Sequence, residues 1–487
     1  MAGEAVRSIV FKVLKALAWM TLGVCLTALA GGIWYLEGRP DLKVWHTADL
    51  DEEFTANGNV ATFNEYLRLE DRLFTQLDKR VYARIEPADR QVFNRFHVGS
   101  LADPGRWQPN WNRSFELRTE QPVAGVLLLH GMSDSPYSLR ALGEKLASTG
   151  AWVVGLRLPG HGTAPAGLTG ITWQDMAAAT RLGAEHLREE IGERPLYIVG
   201  YSNGGALAVQ YMLETLENDA LPRVDGIVLM SPSIGVTGAA RFAVWQGRLG
   251  HWLGMPKLEW QTRAPEYDPF KYGSFAVNAG DVVYRLTVDI QNRLERLGSK
   301  GALERLPPII AFQSVVDATV STPALVTGLF DKLPAANHEL ILFDIDRNDI
   351  LRPLLADDRS TDLGTLMNDS AWPFSVTLIT NASPRTSRVV IRHRPAGEPV
   401  EPDVPLDAEW PPDIFSLSHV ALPIPPTDPL YGAVEPAEPG RLYLGNLSMR
   451  GERGLFQIPP SAMLRLRWNP FYDYLEGRIL RFMALLE

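Results

Sequence analysis

One cysteine, Cys25, stands in 487 residues, so no intramolecular disulfide can form and no bridge pattern reports the compartment. Alone in an apolar run, it offers neither a metal cluster nor a thiol nucleophile. Leu22-Gly23-Val24-Cys25 has the outline of a lipoprotein attachment box, but Val24 is larger than the small residue such sites want. Excess positive charge is also missing. The net charge of -10, with no concentrated basic stretch, argues against a nucleic-acid partner. Solenoid repeats and the composition of a disordered or collagenous chain are absent too. What remains is a globular protein working on small molecules, with no metal or organic cofactor implied.

Between Ala16 and Leu36 there is no charged side chain, and Arg7, Lys12 and Lys15 precede the run. As a helix, roughly twenty such residues cover the hydrocarbon core of a bilayer. The positive-inside rule then predicts a cytoplasmic N-terminus and an exported remainder. Ala28-Leu29-Ala30 fits a cleavable signal peptide, but Ile33-Trp34-Tyr35-Leu36 continues the apolar stretch past that point and favours an uncleaved anchor. The expected organisation is a basic segment (1–15), a transmembrane signal anchor (16–36), an amphipathic helical linker region (37–110) and a catalytic domain (111–487). In the linker, Phe63, Tyr66, Leu67, Phe74, Leu77 and Val81 recur at helical spacing, as in a helix packed on the core.

From Val123 onward, short β-rich runs alternate with helical segments, the pattern of a doubly wound, mostly parallel α/β sheet. Strands are expected at Val123 to Leu129, Trp152 to Leu156, Leu196 to Val199, Ile227 to Met230 and Ile309 to Gln313. An aromatic- and proline-rich stretch at about 235–280 reads as a cap whose apolar walls suit an acyl chain. A second interruption, 333–416, carries strand-like runs at Glu339 to Phe343, Val376 to Thr380 and Val389 to Ile391. One or two of these complete the sheet, and the Pro-rich segment from Pro395 through Pro412 is expected as extended loop.

The chemistry gathers around Gly200-Tyr201-Ser202-Asn203-Gly204. A bare G-x-S-x-G pattern arises by chance in roughly one chain in five or ten of this size. Here it joins a β-run to the helical run Ala206 to Leu216, the context in which a strained turn exposes a serine hydroxyl as nucleophile. His130-Gly131-Met132 follows an earlier strand, so the N–H of Met132 can face a developing oxyanion together with that of Asn203. His130 itself reads as a hydrogen-bonding residue of that loop. The orienting acid is expected at Asp317, at a strand end, with Asp344 or Asp346 as rivals. Among the later histidines, His338 precedes a strand and His393 lies within one. His419, on a late loop, is the candidate base.

These residues, with Leu129-His130-Gly131 and Leu158-Pro159-Gly160-His161-Gly162, resemble the α/β-hydrolase family, specifically its monoacylglycerol lipase, lysophospholipase and serine aminopeptidase-like branch. The likeness runs from about Val123 to Asp317 and resumes at His419. It implies Ser202 as nucleophile, Asp317 as acid, His419 as base, and Met132 and Asn203 as oxyanion donors. The interval from acid to histidine, near a hundred residues, departs from the few tens usual in that branch. The expected activity is a membrane-anchored serine hydrolase that cleaves carboxylic, lipid-like acyl esters through an acyl-enzyme. Two alternatives are an amidase or aminopeptidase with the same triad, and a catalytically silent binding or scaffold protein.

Overall fold

The computed structural model describes residues 2–38, 40–235, 256–317, 319–349, 360–412, 414, 416–438, 440–445 and 467–486. Its centre is a ten-stranded sheet. The strands are β1 (Phe115–Leu117), β2 (Ala124–Leu129), β3 (Ala151–Leu156), β4 (Leu196–Tyr201), β5 (Gly226–Met230), β8 (Ile309–Ser314), β9 (Glu339–Phe343), β10 (Ser375–Asn381), β11 (Arg388–Arg394) and β12 (Val404–Glu409). A separate two-stranded hairpin pairs β6 (Trp260–Thr262) with β7 (Phe275–Ala276). The order across the large sheet is β1-β3-β2-β4-β5-β8-β9-β10-β11-β12. From β3 to β10 every pairing is parallel, and β1, β11 and β12 add antiparallel edges.

Strands β2, β4, β5 and β8 are buried at every position. That is why they read as mostly apolar runs rather than as alternations: parallel strands are covered on both faces. The helices are α1 (Ala2–Glu37), α2 (Phe63–Arg80), α3 (Arg140–Ser148), α4 (Trp173–Ile191), α5 (Asn203–Thr215), α6 (Val277–Gly298), α7 (Thr322–Gly328), α8 (Ser360–Asn368) and α9 (Tyr472–Phe482), beside a single turn at Val44–Thr47. Residues of α4, α5 and α6 share one apolar cluster with one face of the sheet. Residues of α3 and α9 share another with the opposite face.

Helix α2 starts at a capping box, in which Glu65 N–H donates to Thr62 Oγ1 and Thr62 N–H to Glu65 Oε2. It buries Phe63, Tyr66, Leu69, Leu73, Phe74 and Leu77, each contributing roughly 1.5–3 kcal/mol of transfer free energy at full burial. The region 37–110 is more than a linker. Arg157, wholly buried, bonds Glu70 at 3.1 Å and Glu53 at 2.9 Å, and the Tyr66 hydroxyl donates to the Arg157 carbonyl at 2.6 Å. Such a buried triad is expensive to desolvate but holds one arrangement, because removing any partner strands a charge.

Two expectations are corrected by the sheet. All three strand-like runs of 333–416 enter it, and none merely decorates it. The Pro-rich stretch forms β12, an edge strand whose Pro405 faces Val390. An edge tolerates proline because its missing N–H can lie on the unpaired side.

Helix α1 covers the expected membrane span, but the side chains of Cys25, 28–30 and 33–37 lie outside the described residues. Among the described residues no helix is long and apolar enough to cross a membrane. The attachment-box reading at Cys25 likewise falls on an undescribed side chain. Part of the expected cap, 236–255, also lies outside the described residues.

Candidate active site

Ser202 sits between β4 and α5 with φ 55° and ψ −116°. This is a left-handed conformation that a serine holds only when its surroundings impose it. Its N–H donates to Met230 O at 2.9 Å and its carbonyl accepts from Ser233 N–H at 3.0 Å, so β5 clamps the turn from the side. The neighbouring glycines are required by contact rather than by flexibility. A Cβ on Gly204 would run into the Leu129 carbonyl, and one on Gly205 would come within 2.7 Å of Pro232 Cβ.

Asp317 and His419 converge on this serine from 102 residues apart in sequence. His419 Nδ1 lies 2.7 Å from Asp317 Oδ2, and His419 Nε2 lies 3.0 Å from Ser202 Oγ. A carboxylate can only accept, so Nδ1 carries the proton and donates to Asp317. The lone pair on Nε2 is left to accept from the serine hydroxyl. Asp317 is held in turn by the N–H groups of Thr319 (2.7 Å) and Val320 (2.9 Å) on Oδ1, and by Gln313 Nε2 on Oδ2. Burial raises its carboxyl pKa, but the bond to His419, the imidazolium charge and the two backbone donors outweigh it, leaving the pKa below the ordinary aspartate value. A permanently ionised acid behind a histidine is the arrangement that stabilises an imidazolium.

The rivals are engaged elsewhere. Asp344 pairs with Arg347 at 2.7 Å and accepts from the Thr380 hydroxyl, while Asp346 accepts from Asn381 Nδ2. His338 Nδ1 accepts from Ile309 N–H at the start of β8, and His393 contacts Thr377 from β11.

Asn203 is the first residue of α5, so its N–H has no intrahelical acceptor. Met132 lies in the loop after β2. A Cβ on Gly131, beside Met132, would stand 3.2 Å from Ser202 Cβ, so this loop borders the serine. His130 shapes it: Nε2 accepts from Leu158 N–H at 3.0 Å, leaving Nδ1–H to donate to Gly131 O at 2.9 Å. Burial, then the nearby His161, pushes its pKa well below the usual histidine range, in keeping with a neutral structural ring. Arg157 also accommodates this loop system, donating to His161 O at 3.0 Å.

Several neighbours carried no sequence signal. Ser233 Oγ lies 3.4 Å from Ser202 Oγ. A cavity of about 360 Å³ opens beside the cluster, bordered by Tyr201 and Val420, the neighbours of Ser202 and His419, and by Asp134 of the Met132 loop. Its lining also includes Asp268, Lys271, Tyr431 and Arg467. No local pattern marks these residues, because they meet only after the chain past residue 416 folds back over the sheet.

Residues 120–345 match the family model described as serine aminopeptidase, S33. The thermostable monoacylglycerol lipase of Bacillus sp. (strain H-257) is 31% identical over 222 residues, 46% of this chain and 81% of that protein. Phospholipase YtpA of Bacillus subtilis is 28% identical over 120 residues, 24% of this chain and 44% of that protein. Among solved structures, the monoacylglycerol lipase of Paleococcus ferrophilus aligns with 18% identity and a TM-score of 0.35, covering 47% of this chain and 87% of that one. With 81% of a 31% identical relative matched, the chain belongs to the α/β-hydrolase family, in its lipase- and esterase-like branch related to monoacylglycerol lipase.

Proposed function

We propose that the protein is a serine hydrolase that cleaves carboxylic acyl esters through a covalent acyl-enzyme. The observation that carries this reading is the continuous relay from Ser202 Oγ through His419 to Asp317, with contacts of 3.0 and 2.7 Å. In the first half-reaction, Ser202 Oγ bonds to the acyl carbon while its proton passes to His419 Nε2. Collapse of the tetrahedral intermediate breaks the bond to the alcohol oxygen, which takes that proton and leaves. A water then attacks the acyl-enzyme, giving its proton to His419, and the released carboxylic acid restores Ser202 with the proton returned. Met132 N–H and Asn203 N–H are the proposed donors to the oxyanion in both steps.

The named relatives, a monoacylglycerol lipase and a phospholipase, support an ester of a lipid or other acyl group as substrate. A fluorophosphonate probe tests the core of the reading. It is expected to label Ser202 of the native chain and to fail on Ser202→Ala, and a folded native protein that resists labelling would overturn it. The description of the matched family model favours an amidase or aminopeptidase as second reading. Turnover of aminoacyl amides faster than the matching esters would select it.

We further infer that α1 holds the enzyme at a membrane with the catalytic domain on the exported side, a reading that rests on the full run Ala16 to Leu36, several side chains of which lie outside the described residues. Support comes from the uncharged run Ala16 to Leu36 behind Arg7, Lys12 and Lys15. Exposed Phe11, Trp19 and Val24 on α1 add to it. Recovery of the full chain in the soluble fraction after lysis would remove this inference.

A further inference from the structure

A second hydroxyl stands against the reacting oxygen, and neither the triad nor the oxyanion donors use it. Ser233 Oγ lies 3.4 Å from Ser202 Oγ, long for a bond between hydroxyls, and Ser202 Oγ is its sole hydrogen-bonding neighbour among the described residues. The backbone that carries it is fixed. Ser233 N–H donates to Ser202 O at 3.0 Å, and Ser233 O accepts from the Thr287 hydroxyl at 3.2 Å. Two residues earlier, Ser231 N–H donates to Phe312 O at 2.8 Å. The turn after β5 is thereby pinned to β8, to α6 and to the serine turn itself.

The side on which Ser233 stands follows from the sheet. Strands β2, β4, β5 and β8 are neighbours in that order, with Ser202 at the end of β4. Met132 follows β2, on one side of Ser202. Ser233 follows β5, and Asp317, which holds His419, follows β8, on the other side. The water of the second half-reaction must reach His419 Nε2, so it enters on the side of Ser233. Ser202, Ser233 and His419 keep 8%, 7% and 7% of their surface exposed, so none of the three is sealed from it.

Water attacking the acyl carbon gives one proton to His419 Nε2 and keeps the other. The O–H it keeps needs an acceptor, because an unpaired donor in a buried site is costly. Ser202 Oγ cannot serve well, since in the acyl-enzyme it is an ester oxygen. Ser233 Oγ has its lone pairs free for the task.

We propose that Ser233 positions the deacylating water: its Oγ accepts the O–H that the water keeps, while His419 Nε2 takes the other proton. The water oxygen bonds to the acyl carbon, the bond from that carbon to Ser202 Oγ breaks, and the proton on His419 passes to Ser202 Oγ. The retained O–H leaves in the carboxylic acid. This deepens the reading of Ser202 as the nucleophile and rests on it. An alcohol has one O–H, which goes to His419, and nothing left for Ser233 to hold. Ser233 therefore favours hydrolysis over transfer of the acyl group to an alcohol.

The experiment follows the fate of the acyl-enzyme. The purified full chain is given p-nitrophenyl butyrate in the presence of methanol, and methyl butyrate is measured against butyrate. Ser233→Ala should raise that ratio about threefold to tenfold, the size of one lost hydrogen bond. Both products come from one intermediate, so a partly misfolded sample leaves the ratio where it was. The fluorophosphonate probe should label Ser233→Ala at the native rate, because phosphonylation of Ser202 needs no water. Ser231→Ala is the control: its hydroxyl lies in the same turn, buried and without a partner among the described residues, and the native ratio should persist. An unchanged ratio in Ser233→Ala, an equal rise in Ser231→Ala, or labelling of Ser233→Ala slowed by the same factor would overturn the assignment while leaving the triad standing. No turnover and no label on Ser202 of the native chain would remove the underlying reading as well.

Discussion

Strands β2 to β9 and strands β10 to β12 contribute to one catalytic cluster by different routes. The first group lies inside the stretch matched by the family model and supplies the serine, the acid and the Met132 loop from successive strand ends. The second group lies beyond it and carries the chain outward to an exposed edge, where β12 alternates between half-buried and exposed residues. Only after that detour does His419 return to Ser202. Directly after β9 the chain offers Asp344, Asp346 and Arg347, which tie down the start of the sheet extension, and the sequence has no histidine between Phe343 and Ser375. A core that holds Ser202 and Asp317 can thus accept added strands before His419, provided the loop of His419 is re-anchored. Asn469 does this here, with its N–H bonded to Ile424 O and its side chain to Leu422 O.

The comparison breaks first at the base. His419→Ala is expected to lower kcat/KM on a butyrate ester by about 10⁴-fold or more, as removal of a triad member does. Circular dichroism should stay native. If activity persists, the added region is not part of the machinery. Asp317→Asn should follow at about 10³- to 10⁴-fold, whereas Asp344→Asn should change turnover only a few-fold. Equal losses from the two would move the acid into the sheet extension.

Inside the matched core, Gly204→Ala is expected to destabilise by about 3 kcal/mol or more, read as a lower urea midpoint. The added Cβ meets the Leu129 backbone, which cannot yield as a side chain can. Acid should weaken this half and the N-terminal region packed with it. Burial pushes His161 and His338 down to about 4, and burial followed by the Arg263 and Lys43 charges pushes His46 to about 3, all from an ordinary 6.5. Because the folded values lie below the unfolded one, this stability is complete above about pH 6.5. It drains away as pH falls from there toward 4. Urea midpoints at pH 7.5 and 5 should therefore differ, and His338→Gln should reduce the difference. The smallest effect is expected at the outer edge, where the half-exposed pair Arg392–Asp403 joins β11 to the approach of β12. Asp403→Asn should change stability by less than about 1 kcal/mol.

Much of the parallel core was legible in advance. The five expected strands from Val123 to Gln313 appear within two residues of their observed ends, because buried parallel strands need continuous apolar runs. The serine turn was legible through its glycines, and His130 through its place after β2. The sheet extension was only half legible. The runs at 376–380 and 389–391 announce strands, but partner choice depends on distant backbone, and a proline-rich edge resembles a loop. The polar wall of the cavity was not legible at all.

By itself the sequence determined the serine, the strand and helix that flank it, and the short list of acids and histidines, since local sterics and hydrophobic period act over a few residues. Only the tertiary structure decided which acid and which histidine meet, because that depends on where a chain of a hundred intervening residues closes. It also decided the character of the cavity. Asp134, Asp268 and Arg467 are scattered along the chain, and only the fold brings them, with Lys271, into one cavity lining.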